Sequence, residues 1–314
     1  MGGTKILSAV INSTEGTIAV VKESTETGAT QKQYIKQLAS IIKKTIKEAK
    51  VTEDSIKAVC IGFPGPLDPF TGIIYSAPNL GLKNFPIKKL LQEVIPYPVL
   101  IENDVNLGAL GIQKFGVAKK GKNVLTVFIG TGIGGALTFN GKIYRGSNFV
   151  AGEIGHIIVN PKGSLCNCGN RGCFETIASR SAIVKHLEAE IKANKRTMLK
   201  KIFKQGKPIK SKALYLAVKA VDKLTIKEIT GACNTIGLVL ANINNLLDLD
   251  LIVLGGGLME ALDYYMIPKI KTAFNKNIMK GSGKGIKIVA SKLADDAALY
   301  GGIALAEEFL NIKV

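Results

Sequence analysis

Residues 152–175, GEIGHIIVNPKGSLCNCGNRGCFE, place three cysteines within eight positions, and His156 stands ten residues before the first of them. One imidazole and three thiolates, from His156, Cys166, Cys168 and Cys173, form a donor set for a four-coordinate zinc. Such a site keeps no open position, so the ion would be structural. The spacing C-x-C-x4-C is tight, and Gly163, Gly169 and Gly172 would let so short a loop fold round an ion. A disulfide within the set, or free thiols, is the competing reading. The chain has five cysteines in all, an odd number, and crowding of this kind in a reducing compartment favours metal over disulfides. Cys60 and Cys233, in AVCIGF and GACNTIG, read as buried structural thiols. Glu153 precedes His156 by three residues and Glu175 follows Cys173 by two. A zinc knot would fix both carboxylates where they can accept hydrogen bonds from a polyol. The plainer alternative makes them ordinary loop and helix-start acids.

Two further kinds of residue could do chemistry. IENDVN (101–106) ends an apolar run with Glu102, Asn103 and Asp104 and opens a helix. Polar groups at the C-terminal end of a buried strand are placed to line a site. Asp104 is a candidate general base for a hydroxyl proton, or else a helix cap. Glycine turns, in turn, let backbone N–H groups approach an anion. GTGIGG (130–135) adds the Thr131 hydroxyl, and GGG (255–257) and Gly2-Gly3-Thr4 are similar turns. Together they suggest a nucleotide with its phosphates, although a hairpin turn alone would also account for GTGIGG. None fits the P-loop pattern. GTGIGG opens a hairpin and not a helix, which argues against a Rossmann dinucleotide site.

The elements that must carry these residues alternate. Residues 5–11 and 17–22 read as strands, about 31–50 as an amphipathic helix, and 56–63 and 98–103 as buried strands. Residues 123–144 read as a strand–turn–strand–turn–strand run, about 225–247 as a long helix, 249–257 as a strand and glycine turn, and 285–291 and about 295–310 as a closing strand and helix. The order repeats, as expected of two α/β halves facing each other across a cleft. The expected domains are residues 1–115 with a C-terminal helix at about 296–314, and 116–295 with the zinc loop and a helical insertion.

The chain has 314 residues, is 46% hydrophobic and carries a formal charge of +18. Nine of its cations fall in 192–212, a stretch without an acid. The remainder lie on helix faces, so a solvated lysine-rich surface is preferred to a nucleic-acid footprint, and no aromatic interleaving supports base stacking. No run is long enough to span a bilayer and no signal peptide precedes GGTK, which gives a cytoplasmic expectation.

In order, GGTK, GFPGPLD, ENDVNLGALG, GTGIGGA, GEIGH, CNCGNRGCFE and LGGG resemble the ROK family of sugar kinases and repressors, within the actin/hexokinase/Hsp70 superfamily, over nearly the whole chain. The resemblance implies a two-domain actin-like ATPase (ribonuclease H-like) fold and ATP-dependent phosphorylation of a hexose 6-hydroxyl, with glucose the first choice. It implies Asp104 as catalytic base, with Gly65, Asn103, Glu153, His156 and Glu175 around the sugar. It puts Gly3, Thr4, Lys5, Gly130, Thr131, Gly132 and Gly134 at the phosphates, Gly255, Gly256 and Gly257 near the adenosine, and Mg2+ with the ATP. His156 would give one ring nitrogen to zinc and turn the other toward the sugar. A homodimer or homotetramer is implied. N-acetylmannosamine, other N-acetylhexosamine and fructose kinases share these motifs, as do non-catalytic sugar-sensing transcriptional regulators. The regulators carry an N-terminal helix-turn-helix domain, which is not expected here because GGTK stands at the start of the sequence. The family's first motif reads D-x-G-G-T-K at the end of an apolar strand. Here Met1 occupies the x, so the first strand and its Asp are expected to be missing, through a start placed too late or a truly short chain.

Overall fold

The computed structural model describes residues 5–26, 28–77, 80–294 and 296–313. Gly3 and Thr4 of the predicted phosphate turn lie outside the described residues. The chain divides into two compact units, Met1–Lys119 with Lys142–Ala151 and Asp295–Val314, and Lys120–Gly141 with Gly152–Ala294.

In the first unit, β1 (Lys5–Asn12) and β2 (Gly16–Ser24) form an antiparallel pair. Helix α1 (Gln31–Ala49) covers them. Its apolar residues Tyr34, Ile35, Leu38, Ile41, Ile42 and Ile46 recur at helical spacing and are all buried. Thr30 and Gln33 close its start as a reciprocal capping box, and Lys50 ends it in the left-handed conformation at φ 54°. β3 (Val59–Phe63) and β7 (Val99–Asn103) run parallel. Between them in sequence lie an antiparallel meander of β4 (Leu67–Asp68), β5 (Ile73–Ala77) and β6 (Leu82–Phe85), and the short helix α2 (Ile87–Gln92). The sequence reading missed this meander, because its strands are short and GFPGPLDPF reads as a breaker. Among the described residues, the β1–β2 and β3–β7 pairs are separate sheets. Helix α3 (Asp104–Phe115) follows β7 directly and packs against α10 (Asp296–Leu310). The segment 142–151 contributes the short strand β10 (Lys142–Ile143).

The second unit is built on β8 (Asn123–Ile129) and β9 (Ile133–Phe139), an antiparallel hairpin whose turn is the GTGIGG segment. β11 (Leu251–Gly255) lies parallel to β8, and β12 (Lys287–Ala290) parallel to β11. Every residue of β11 is buried, as expected for a central parallel strand with both faces covered. Six helices complete the unit: α4 (Glu175–Ala178), α5 (Arg180–Lys192), α6 (Lys200–Lys204), α7 (Ser211–Lys219), α8 (Lys223–Leu247) and α9 (Gly257–Asn277). Cys233 on α8 is wholly buried, and burial pushes its thiol up to about 12. Burial likewise pushes Cys60 up to about 12, and its thiol donates to the Gly302 carbonyl. Both are structural thiols. Among the described residues no helix is long and apolar enough to cross a membrane.

Candidate functional site

The junction of β7 and α3 holds Glu102, Asn103 and Asp104 in one turn of chain. Asn103 caps α3, its Oδ1 accepting the Val105 and Asn106 N–H groups at 2.9 and 3.2 Å. Its amide nitrogen donates to the Gly65 carbonyl at 3.4 Å, which joins two of the predicted sugar-side groups. Asp104 is therefore not required to close the helix, although its Oδ1 also meets the Val105 N–H at 3.0 Å. Burial raises the Asp104 carboxyl above its ordinary pKa, against the Val105 N–H, which lowers it. A carboxylate made more basic by desolvation is suited to accept a proton.

Beneath them Glu102 is buried and fully engaged. One oxygen accepts the Asn103 N–H at 2.9 Å and the Asn106 side-chain amide at 3.0 Å, and the other accepts Arg145 Nε at 2.7 Å. Arg145 also donates to both carboxylate oxygens of Glu308 on α10, at 2.9 and 3.3 Å. Its guanidinium lies 5.9 Å from the Phe70 ring centre and 5.5 Å from that of Phe309. The sequence reading named Glu102 without a role and passed over Arg145. A signal was present: only four of the 42 cations are arginine, at 145, 171, 180 and 196. Where Lys is the habitual cation, an Arg marks a place that needs a planar, multidentate donor.

In the second unit the cysteine loop closes on itself. The Gly172 carbonyl accepts the Val159 and Asn160 N–H groups, the Gly172 N–H donates to Ser164, and Cys166 N–H donates to Asn170. Gly172 is obligatory, because its φ is +70° and a Cβ there would stand 1.5 Å from the Asn160 carbonyl oxygen. The loop gathers the four predicted ligands, His156, Cys166, Cys168 and Cys173, with their donor atoms all within 4.8 Å of one another. Cys166 Sγ lies 3.6 Å from His156 Nδ1, and Cys168 Sγ 3.6 Å from Cys173 Sγ. A tetrahedron with Zn–S of about 2.3 Å and Zn–N of about 2.0–2.1 Å has edges of about 3.5–3.8 Å. The residues therefore fit a zinc ion in both chemistry and spacing. Burial pushes the Cys166 thiol up to about 12, so a cation must displace that proton on binding.

The same loop positions the predicted carboxylates. His156 Nδ1 faces the cysteines, while Nε2 lies 3.8 Å from Glu153 Oε2. Glu175 opens α4 directly after the knot, and its Oε1 accepts from Cys166 at 3.1 Å. The GTGIGG turn adjoins Glu175: a Cβ on Gly132 would stand 2.6 Å from Glu175 Oε2. Gly256 comes close to the Ile129 backbone, so the glycine turn 255–257 lies beside the start of GTGIGG and opens α9. The Ser211 hydroxyl, near Gly257, is a buried oxygen without a hydrogen-bond partner. It is a further polar group at this turn that the sequence reading missed, since a lone Ser in a lysine-rich run gives no signal. Lys5 lies on β1 of the first unit. The structure thus gathers Gly65, Asn103 and Asp104 in one unit, and the four metal ligands, Glu153, Glu175 and the turn 130–134 in the other.

A family model described as "ROK family" matches residues 1–309. The chain is 33% identical over 275 residues to a glucokinase from Halalkalibacterium halodurans, covering 87% of this chain and 83% of that protein. A ROK family glucokinase from Streptomyces griseus, solved with glucose and AMPPNP, superposes with a TM-score of 0.79 at 26% identity, covering 98% of this chain and 97% of that one. A ROK family transcriptional regulator, a homologue of the E. coli MLC protein, superposes with a TM-score of 0.88 at 24% identity over 98% of this chain and 76% of its own. That likeness speaks to the fold, which is the actin-like ATPase fold expected from the motifs.

Proposed function

The chain belongs to the ROK family, and on that premise we propose that it is an ATP-dependent hexose kinase acting on the 6-hydroxyl, with glucose as its substrate. The observation that carries this reading is Asp104, a desolvated carboxylate at the end of a parallel strand whose capping duty Asn103 has taken over. In the proposed reaction Asp104 accepts the proton of the sugar hydroxyl as that oxygen attacks the γ-phosphorus. Asn103, Glu153, His156 and Glu175 hold the other hydroxyls, and the Gly65 backbone borders the same group. The turns at Gly130–Gly134 and Gly255–Gly257 receive the nucleotide, which arrives with Mg2+, and Lys5 is assigned to the phosphates by the family resemblance. Transfer of this kind depends on positioning and charge stabilisation more than on covalent chemistry. Zinc, held by His156, Cys166, Cys168 and Cys173, would supply rigidity alone. His156 turns Nδ1 toward the thiols, so a bound ion would fix the ring's tautomer and direction and leave Nε2 for a sugar oxygen.

The test is sugar-dependent ADP release across aldohexoses, fructose and N-acetylated hexosamines, with ATP and Mg2+. Release with glucose, lost in Asp104→Asn, supports the reading; preference for N-acetylmannosamine or fructose would keep the kinase and replace the substrate. The second reading, a sugar-sensing regulator, is favoured by the basic run 192–212 and the shared regulator fold. It requires sugar binding without release and DNA binding that weakens steeply with salt.

A further inference from the structure

We infer that Arg180 belongs to the phosphoryl-transfer site, where its guanidinium orients the Thr131 hydroxyl and adds positive charge beside the nucleotide's terminal phosphates. The inference rests on the kinase reading and extends it to a residue outside the predicted motifs.

Arg180 is the first residue of α5, a 13-residue helix whose start is capped by the buried Ser179, its hydroxyl accepting the Ala182 N–H. The Arg180 N–H donates to the Gly130 carbonyl at 2.9 Å, which ties the positive end of α5 to the GTGIGG turn. Its Nη2 donates to Thr131 Oγ1 at 2.9 Å. That bond determines what the hydroxyl can do. Guanidinium has donors only, so the threonine oxygen must act as acceptor, and its own proton is left to donate elsewhere. A hydroxyl held in this way on a glycine turn is a ready donor to an anionic oxygen. Among the described residues no ion pair joins Arg180 to a carboxylate, so its charge is not neutralised locally and further N–H groups remain on its fork. It is one of four arginines in a chain that otherwise uses lysine, and at such a place planar geometry counts. The simpler account, in which Arg180 only tidies the turn, predicts an effect on stability and none specific to ATP.

In the transfer the sugar oxygen bonds to the γ-phosphorus as the bond from γ-phosphorus to the β–γ bridging oxygen breaks. ADP leaves with that electron pair, and the sugar proton passes to Asp104. Negative charge grows on the bridging oxygen, and a guanidinium beside the turn stabilises it.

The test compares wild type with Arg180→Ala, Arg180→Lys and Thr131→Val. Arg180→Ala should lower kcat/KM for ATP by about 10²–10³-fold, the usual effect of losing one such donor. Sugar affinity by calorimetry should stay within about twofold, and Lys or added guanidinium should restore part of the rate. Thr131→Val should lose rate as well, and the double variant should lose less than the product of the two, as for groups that act as a unit. Values of kcat/KM for ATP within threefold of wild type in Arg180→Ala would overturn the inference. So would a parallel loss of sugar and ATP affinity that lysine fails to restore. ATP binding measured by calorimetry separates this from the kinase reading. If wild type releases no ADP with any sugar, that reading fails, while a tenfold weaker ATP affinity in Arg180→Ala would still support a phosphate contact and an unchanged affinity would refute it.

Discussion

Replacing Arg145 by Ala should be among the most damaging substitutions outside the motifs. The Glu102 side chain is 2% exposed and that of Arg145 11%, so the pair is shielded from water, whereas Glu308 is 35% exposed and screened. Removing the guanidinium leaves Glu102 charged and buried, with two N–H donors and no cation. Breaking one side of such a pair costs about 3–5 kcal/mol. The lost stacking against Phe70 and Phe309 adds about 0.5–1 kcal/mol for each ring. At about 2–4 °C per kcal/mol, the melting temperature should fall by roughly 10 °C or more. Glu308→Gln removes only the screened partner and should cost under about 1 kcal/mol. The double variant Glu102→Gln, Arg145→Met should recover much of the loss, because no buried charge is left unpaired and the Glu308 carboxylate, 35% exposed, stays in contact with water. Scanning calorimetry on the four proteins reads all of this. A fall of under about 2 °C for Arg145→Ala, or a double variant worse than Arg145→Ala, would show that Arg145 does not stabilise a buried Glu102 charge.

Asp104→Asn should slow transfer by about 10²-fold or more, and yet raise the melting temperature at pH 7. A carboxyl whose pKa is raised on folding costs stability when ionised, and the cost disappears as pH falls through that raised value toward the ordinary 3.8. The variant's advantage should therefore vanish by about pH 4; an equal advantage at both pH values would contradict it. Cys166→Ala should take zinc content from one ion per chain toward none and weaken sugar binding by about tenfold or more. Zinc loss with full sugar affinity would show that the knot does not position Glu153, His156 and Glu175. Gly132→Ala should push the Glu175 carboxylate aside and raise KM for the sugar severalfold with little change in melting temperature; an unchanged KM would separate the turn from the sugar residues.

The sequence was most informative where chemistry requires particular residues at close range. The ligands His156, Cys166, Cys168 and Cys173 lie within 18 positions, and their convergence needs only local turns at Gly169 and Gly172. Asn103 and Asp104 were legible for a similar reason, since a polar pair ending an apolar strand and opening a helix has few other uses. The division of labour between them was not legible, because which of two adjacent residues caps a helix depends on backbone angles. Arg145 and Arg180 were missed because their partners are distant in sequence: Glu308 lies 163 residues from Arg145, and Thr131 lies 49 from Arg180. The meander β4–β6 was hidden by strands as short as Leu67–Asp68, too brief for an alternating pattern.

We propose phosphoryl transfer to a hexose 6-hydroxyl with Asp104 as base. Phosphorus NMR of the protein incubated with ATP, Mg2+ and glucose tests it most directly. A glucose 6-phosphate resonance should grow at the expense of the γ-phosphate, about 10²-fold or more slowly with Asp104→Asn under identical conditions. No sugar phosphate with any hexose, or the same rate from Asp104→Asn, would contradict it.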